Sequence, residues 1–174
     1  MEIVVGTILT IVAVALLFVI IMGIFFTIDL FFELPYVGAQ KHRIETIMKF
    51  ASIKKGETVV DLGSGDGRLL YAAAQRGAKA VGYEIHPFLI GLTLVRTKLK
   101  GLTNNIWVVR QSLWKADLKV ADVIFVYAKR VTMPKFEDFI YKNAAKGTRI
   151  VVNTNPFPNK KPEKTENGIF LYKV

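Results

Sequence analysis

A glycine-rich turn with a carboxylate on either side is the part of this sequence best suited to chemistry. Asp61 precedes the turn Gly-Ser-Gly-Asp-Gly at positions 63–67, and Glu84 follows one predicted helix and one predicted strand later. Alternating glycines permit a tight turn and let a ligand approach the backbone. Their spacing differs from the Gly-x-Gly-x-x-Gly of dinucleotide-binding turns. Two flanking carboxylates favour a cationic ligand, such as a sulfonium, over a pyrophosphate. The alternative is a strand-to-helix turn that binds nothing.

Alternating predicted strands and helices place this turn at the carboxyl edge of a sheet. Apolar and β-branched runs predict strands at 58–62, 79–84, 105–110, 122–127, 147–153 and 168–174. Helical spacing of apolar residues predicts helices at 40–52, 68–76, 87–100 and 133–145. The pattern predicts an α/β fold with a Rossmann-like, doubly wound and mostly parallel sheet. Residues 155–164 are expected to form a loop, and the last strand to lie antiparallel at the sheet edge.

The first 34 residues are predicted to form a membrane anchor and its interfacial flank. Residues 3–28 contain no charged side chain, and as a helix these 26 residues would reach roughly 39 Å. The hydrocarbon core of a bilayer is about 30 Å thick. A cleaved signal peptide would need a basic start and small residues at the cleavage site, which this segment lacks. We therefore predict one transmembrane helix in residues 1–34, followed by a catalytic domain at 35–174.

The charge distribution supports a membrane-associated domain. The net charge is +10, and all 24 Lys and Arg residues lie at position 41 or later, on the carboxy-terminal side of the apolar segment. The positive-inside rule then predicts a single-pass protein with its amino terminus outside and its domain in the cytoplasm. A basic surface next to a membrane segment favours lipid headgroups as its partner over nucleic acid. The absence of cysteine excludes disulfides, thiolate metal sites and thiol catalysis.

The motifs resemble a known group of enzymes. Val-Val-Asp-Leu-Gly-Ser-Gly-Asp-Gly-Arg at 59–68, followed by Val-Gly-Tyr-Glu at 81–84, is similar to the cofactor motifs of class I, seven-strand S-adenosylmethionine-dependent methyltransferases. Three further features restrict the resemblance to a smaller group within these enzymes. They are the apolar segment, Pro-Tyr-Val at 35–37 and Glu-Ile-His-Pro at 84–87. Together they resemble the membrane-anchored lysine methyltransferases of the adenine nucleotide translocase and the ATP synthase c-subunit. The chain is also similar to a short archaeal protein lysine methyltransferase.

The resemblance implies a set of site residues. The cofactor S-adenosyl-L-methionine would contact the turn and the strand ends around it, through Asp61, Gly63, Ser64, Gly65, Gly67, Glu84, Ser112 and Leu113. Tyr36 belongs to a segment that folds over the cofactor in the family, although Gly38 and Ala39 replace the family's next residues. Tyr127 and Asn153 would face the methyl group and the incoming amine. His86 stands where the family usually has Asn, and we expect it to cap the helix that follows.

The expected function is methylation of lysine side chains on a membrane or membrane-proximal protein. Methylation of a lipid, a quinone or another small membrane substrate fits the anchor and the basic surface equally well. Nucleic-acid methylation is less favoured, because Tyr-Ala-Lys-Arg at 127–130 replaces the Asp/Asn-Pro-Pro-aromatic element. A catalytically silent cofactor-binding module is disfavoured by the complete turn and both acids. No metal site is expected.

Overall fold

The computed structural model describes residues 2–31 and 41–174. The chain divides into two compact units, Met1–Tyr36 and Val37–Val174, and each is described here by itself. The predicted boundary between residues 34 and 35 falls outside the described residues and stays a prediction.

The first unit contains one long helix, α1 (Glu2–Phe31). Its span Val5–Phe25 has a mean hydropathy of 3.1, and none of it is buried within the structure. By length and composition this helix could cross a membrane, as the charge-free run predicts. A signal sequence near the amino terminus shares this length and apolar composition.

The second unit alternates strands and helices as predicted. Its helices are α2 (Lys41–Ala51), α3 (Arg68–Ala74), α4 (Pro87–Leu99) and α5 (Met133–Asn143). Its strands are β1 (Thr58–Leu62), β2 (Lys79–Glu84), β3 (Ile106–Arg110), β4 (Val123–Tyr127), β5 (Arg149–Asn153), β6 (Lys164–Glu166) and β7 (Ile169–Lys173). The residues between β3 and β4 form only a short 3-10 helix, Leu113–Lys115.

The strands form one sheet in the order β3-β2-β1-β4-β5-β7-β6. The first five strands run parallel, and β7 pairs antiparallel with β5. The predicted doubly wound, mostly parallel sheet is therefore confirmed.

The expectation that the last strand lies at the sheet edge is wrong, because β6 pairs with its outer side. Asn167 and Gly168 join these two strands with φ of +51° and +70°. An Asn-Gly pair with two positive φ values favours a two-residue hairpin, and this signal lies in the sequence.

Both faces of the central strands β1, β4 and β5 are buried, as is usual for parallel sheets covered by helices. Along β4, Val123 and Phe125 join a core cluster that includes residues of α2 and α3, whereas Ile124 and Val126 point to the opposite face. The packing on both sides fixes the sheet rigidly, so the carboxyl ends of β1, β2, β4 and β5 are held in place.

Replacing Leu70 with Ala tests the packing of α3. Leu70 is 0% exposed, and we expect its truncation to lower the free energy of unfolding by about 2–5 kcal/mol. Leu99→Ala is the matched control, because Leu99 is 81% exposed and should change stability by less than about 0.5 kcal/mol. Urea unfolding of the full chain in detergent, followed by tryptophan fluorescence, measures both. Equal effects of the two substitutions would contradict this packing.

Candidate active site

The strand register brings the predicted site residues to one level at the carboxyl edge of the sheet. Leu62 on β1 pairs with Tyr83 on β2 and with Val126 on β4. The next residues along the chain are Gly63 directly after β1, Glu84 at the end of β2 and Tyr127 at the end of β4. Tyr127 in turn pairs with Asn153 on β5. Four residues that are far apart in the sequence therefore lie side by side, as the predicted topology requires.

The glycine turn adopts a conformation that favours glycine. Gly63, Gly65 and Gly67 have φ of +87°, +56° and +77°, values that side-chain-bearing residues rarely adopt. A Cβ on Gly67 would lie 2.5 Å from the Thr93 Cγ2 of α4, so this glycine also permits close packing. The turn is tied to β2 because the backbone N–H groups of residues 63 and 64 both donate to the Tyr83 carbonyl, at 2.9 and 3.1 Å.

Glu84 holds the turn through its buried carboxylate. Its Oε2 accepts a hydrogen bond from the Gly65 N–H at 2.9 Å. Its Oε1 accepts from the N–H groups of Ile85 and His86, at 2.8 and 2.9 Å. Since a carboxylate oxygen accepts about two hydrogen bonds, Oε1 is saturated and Oε2 can accept one more. The charge of Glu84 is thus stabilised by backbone dipoles, and one acceptor position remains for a ligand.

Asp66 is a second buried carboxylate, and two arginines neutralise it. Arg68 contacts both of its oxygens, through Nε at 2.9 Å and Nη2 at 2.8 Å. Arg96 on α4 donates to its Oδ2 at 3.0 Å. No local sequence pattern predicts this clamp, because Arg96 is 30 residues from Asp66 in the chain. The clamp fixes the turn to the start of α3 and to α4.

Asp61 is the third carboxylate, and it differs from the other two. It is buried, and no hydrogen bond reaches its carboxylate from the part of the chain that the structure describes. Burial raises the pKa of Asp61 to about 7, and the charges of Glu84 and Asp66 add to this effect. A buried carboxylate without a partner, next to two others, is stabilised by a positively charged ligand.

Leu113 lies beside the turn, and Ser64 belongs to it. The Leu113 Cδ2 lies 3.8 Å from the position of a Cβ on Gly63, so this buried leucine borders the turn. Ser112 directly precedes it at the start of the 3-10 helix. The hydroxyl of Ser64 is buried without a hydrogen-bond partner and faces Gly82, where a Cβ would lie 2.5 Å from its Oγ. The Ser64 side chain is therefore directed toward β2.

The ends of β4 and β5 form the other side of the site. Tyr127 is partly exposed, whereas Asn153 is buried. Thr154 has a φ of +76° and its hydroxyl donates to the Asn153 Oδ1 at 3.2 Å. The Asn155 side chain donates to the Ala128 carbonyl at 2.8 Å, which ties the two strand ends together. A strained non-glycine residue held by such bonds is typical of functional sites.

Tyr36 and His86 are the remaining residues that the sequence predicts near the turn. Tyr36 lies outside the described residues, so its contact with a cofactor stays a prediction. His86 occupies the first capping position of α4 and precedes Pro87, but its side chain makes no capping hydrogen bond. The predicted capping position is therefore confirmed, and the cap is made by the His86 backbone carbonyl, which accepts from the Ile90 N–H at 3.1 Å. The described residues contain no group of three or more His, Cys, Asp or Glu that could hold a metal ion.

The sequence matches a family of methyltransferase domains. Residues 61–164, from the first buried carboxylate to β6, match the family described as the ANTKMT methyltransferase domain. The chain belongs to this family. The mouse adenine nucleotide translocase lysine N-methyltransferase is 33% identical over 131 residues, which are 75% of this chain and 57% of the mouse protein. This chain thus spans little more than half the length of that relative.

The chain is also similar to a relative that it covers almost completely and to a solved structure. A protein-lysine N-methyltransferase of Saccharolobus islandicus is 27% identical, over 82% of this chain and 94% of that protein. The crystal structure of an RNA methyltransferase from Salinibacter ruber with S-adenosyl-L-homocysteine superposes with a TM-score of 0.76. It is 24% identical and covers 79% of this chain and 94% of its own, a likeness that shows the fold alone. The class I methyltransferase fold is therefore confirmed.

Replacing Asp61 with Asn tests whether the buried, unpaired charge of Asp61 destabilises the folded protein. The raised pKa means that the folded state holds the proton more tightly, so stability falls as pH rises from about 4 to about 7. Above pH 7 the cost reaches on the order of 4 kcal/mol, and the asparagine variant avoids it. We therefore expect Asp61→Asn to be more stable than the parent above pH 7 and of similar stability below pH 4.

Urea unfolding in detergent across this pH range measures the difference. Asp138→Asn, which removes an exposed carboxylate on α5, is the matched control for the loss of one negative charge. A difference between Asp61→Asn and the parent that does not grow with pH would contradict the buried, unpaired state of Asp61.

Proposed function

We propose that this protein is an S-adenosylmethionine-dependent methyltransferase that methylates lysine side chains of a membrane or membrane-proximal protein. The observation that carries the proposal is the buried Asp61 carboxylate, which has no partner among the described residues. It lies on β1, two residues before Gly63, at the first residue that the methyltransferase family matches. The mouse and archaeal relatives, both named lysine N-methyltransferases, support lysine as the acceptor.

The residues present fit S-adenosylmethionine. The ligand carries a sulfonium and an ammonium group, and the described site offers Asp61 as the buried carboxylate that lacks a counter-charge. Glu84 retains one acceptor position on Oε2, which suits a ribose hydroxyl. Leu113 presents an apolar surface beside Gly63, which suits the adenine ring. The site therefore supplies charge, hydrogen bonding and apolar contact within one short stretch of the sheet edge.

The protein's own contribution to methyl transfer is alignment and desolvation. When bound, S-adenosylmethionine supplies an electrophilic methyl group on its sulfonium. Tyr127 and Asn153, side by side on β4 and β5, are proposed to line the channel of the incoming amine. A lysine has an unperturbed pKa of about 10.4 and must lose its proton before it reacts. Desolvation in this channel would favour the neutral amine, and its proton would pass to water.

The helix α1 is proposed to anchor the enzyme in a membrane. Its apolar span is long enough to cross a bilayer, and every Lys and Arg follows it in the sequence. The positive-inside rule then favours an amino terminus outside and a cytoplasmic catalytic unit. Tethering to the bilayer would raise the local concentration of membrane-protein substrates. It would also bring lipid headgroups to the basic surface of the unit.

A lipid, a quinone or another small membrane molecule is the second candidate substrate. It is favoured by the same apolar helix, since that helix would bring the site to any substrate of the bilayer. Nucleic acid has less support. The Salinibacter structure bears the name of an RNA methyltransferase, but its likeness to this chain concerns the fold alone.

The proposal is tested by methyl labelling of native membranes that lack the endogenous protein. We expect the purified full chain and radiolabelled S-adenosylmethionine to label a protein band that survives lipid extraction and nuclease. Acid hydrolysis of that band should release methylated lysine. Glu84→Ala removes the acceptor for three backbone N–H groups, and it should abolish both labelling and cofactor binding in calorimetry.

The other outcomes separate the alternatives. Label found only in the organic phase would show that the methyl acceptor is a lipid or another small molecule and not a lysine side chain. Cofactor binding without any label would indicate a silent binding module. Cofactor affinity that survives Glu84→Ala would contradict the proposed site itself.

A further inference from the structure

The second unit exposes its large apolar side chains unevenly. Outside α1, eight large apolar residues of the described chain are exposed, and six of them lie on α4 and on the neighbouring edge strand β3. The six are Phe88, Leu94, Val95, Leu99, Trp107 and Val109. Scattered exposed apolar residues are ordinary, but a concentration of them on one element marks an interaction surface.

The exposed residues of α4 share one side of the helix. Phe88, Val95 and Leu99 are seven and four residues apart, a spacing that aligns side chains along a helix. Leu94 lies next to them on the exposed side, and the buried Thr93 and Thr97 mark the opposite, inward side. We call Phe88, Leu94, Val95 and Leu99 the outer face of α4. The helix therefore packs on the rest of the unit through its opposite side, and the outer face takes little part in that packing.

The charges around the outer face have one sign. Residues 85–116 contain no Asp or Glu but five Lys and Arg. One of them, Arg96, pairs with Asp66. The others, Lys98, Lys100, Arg110 and Lys115, are exposed. An apolar helical face with a border of cationic side chains is the pattern of elements that lie on anionic lipid surfaces.

We propose that the outer face of α4 docks on the surface of an anionic lipid bilayer. The inference rests on the proposed function, in which α1 brings the catalytic unit to a membrane. The charge pattern disfavours a second copy of the chain as the occupant, because two such cationic surfaces would repel each other. The apolar side chains would enter the headgroup region, and the lysines would contact lipid phosphates.

Docking in this way would orient the active site. The helix α4 begins at Pro87, three residues after Glu84, so the outer face starts beside the cofactor turn. Phe88, its first residue, lies near the ring of His86, with a centroid separation of 6.5 Å. A bilayer against α4 would therefore hold the carboxyl edge of the sheet close to the headgroups. Lysines of membrane proteins at that depth would be presented to the site.

Single cysteines can report the environment of this face, because the natural chain has none. Val95→Cys is the probe position and Val120→Cys is the matched control, since both valines are 58% exposed. Each full-length variant carries an environment-sensitive fluorophore in vesicles of phosphatidylcholine and phosphatidylglycerol, with or without brominated acyl chains. We expect the Val95 probe to shift to shorter wavelength and to lose intensity in brominated vesicles. The Val120 probe should do neither, and pure phosphatidylcholine should weaken the Val95 effect.

Three results would overturn the proposal, and flotation of the vesicles distinguishes them. A protein that floats with vesicles while its Val95 probe stays in water contradicts docking by α4 and leaves the anchor intact. A shifted probe without bromine quenching indicates contact with protein, such as a second copy. A protein that does not float contradicts both the docking and the membrane anchor of the proposed function.

Discussion

The burial of three carboxylates around one glycine turn is the constraint on which the site depends. Like charges in a low-dielectric region repel one another, and each needs its own compensation. Asp66 is compensated by Arg68 and Arg96, and Glu84 by three backbone N–H groups. Asp61 receives neither kind of partner from the described residues, and its pKa is raised to about 7. The charge of Asp61 thus stays uncompensated until a cationic ligand binds. This uncompensated charge lowers the free energy of unfolding of the ligand-free protein.

The sheet makes this arrangement possible, because parallel register places residues from separate strands at one level. The carboxyl ends of four strands carry Gly63, Glu84, Tyr127 and Asn153. The strand order reverses direction at β1, between β2 and β4. The turn then needs glycine for its positive φ values and for the close approach of Thr93. The same geometry leaves α4 next to the turn with an apolar, cation-bordered outer face. One short region of the chain therefore carries both the cofactor site and the surface proposed to face the membrane.

Much of this organisation follows from sequence patterns, and the remainder depends on tertiary contacts. The strand β2 and the start of α4 were predictable from an apolar run and from Pro87, because these signals are local. The clamp of Arg96 on Asp66 was not, since it joins residues that only the fold brings together. The strand β6 was missed although the Asn-Gly turn at 167–168 signals a hairpin. The raised pKa of Asp61 could not be predicted from the sequence either, because it depends on burial and on the neighbouring charges of Glu84 and Asp66.

A carboxyl-carbon NMR titration of aspartate-labelled protein tests the central claim most directly, with Asp61→Asn identifying the resonance. We expect Asp61 of the free protein to titrate with a pKa of about 7, and saturation with S-adenosylmethionine to lower this pKa strongly. A titration near the ordinary value of 3.8 in the free protein, or a raised pKa that the cofactor leaves unchanged, would contradict this claim.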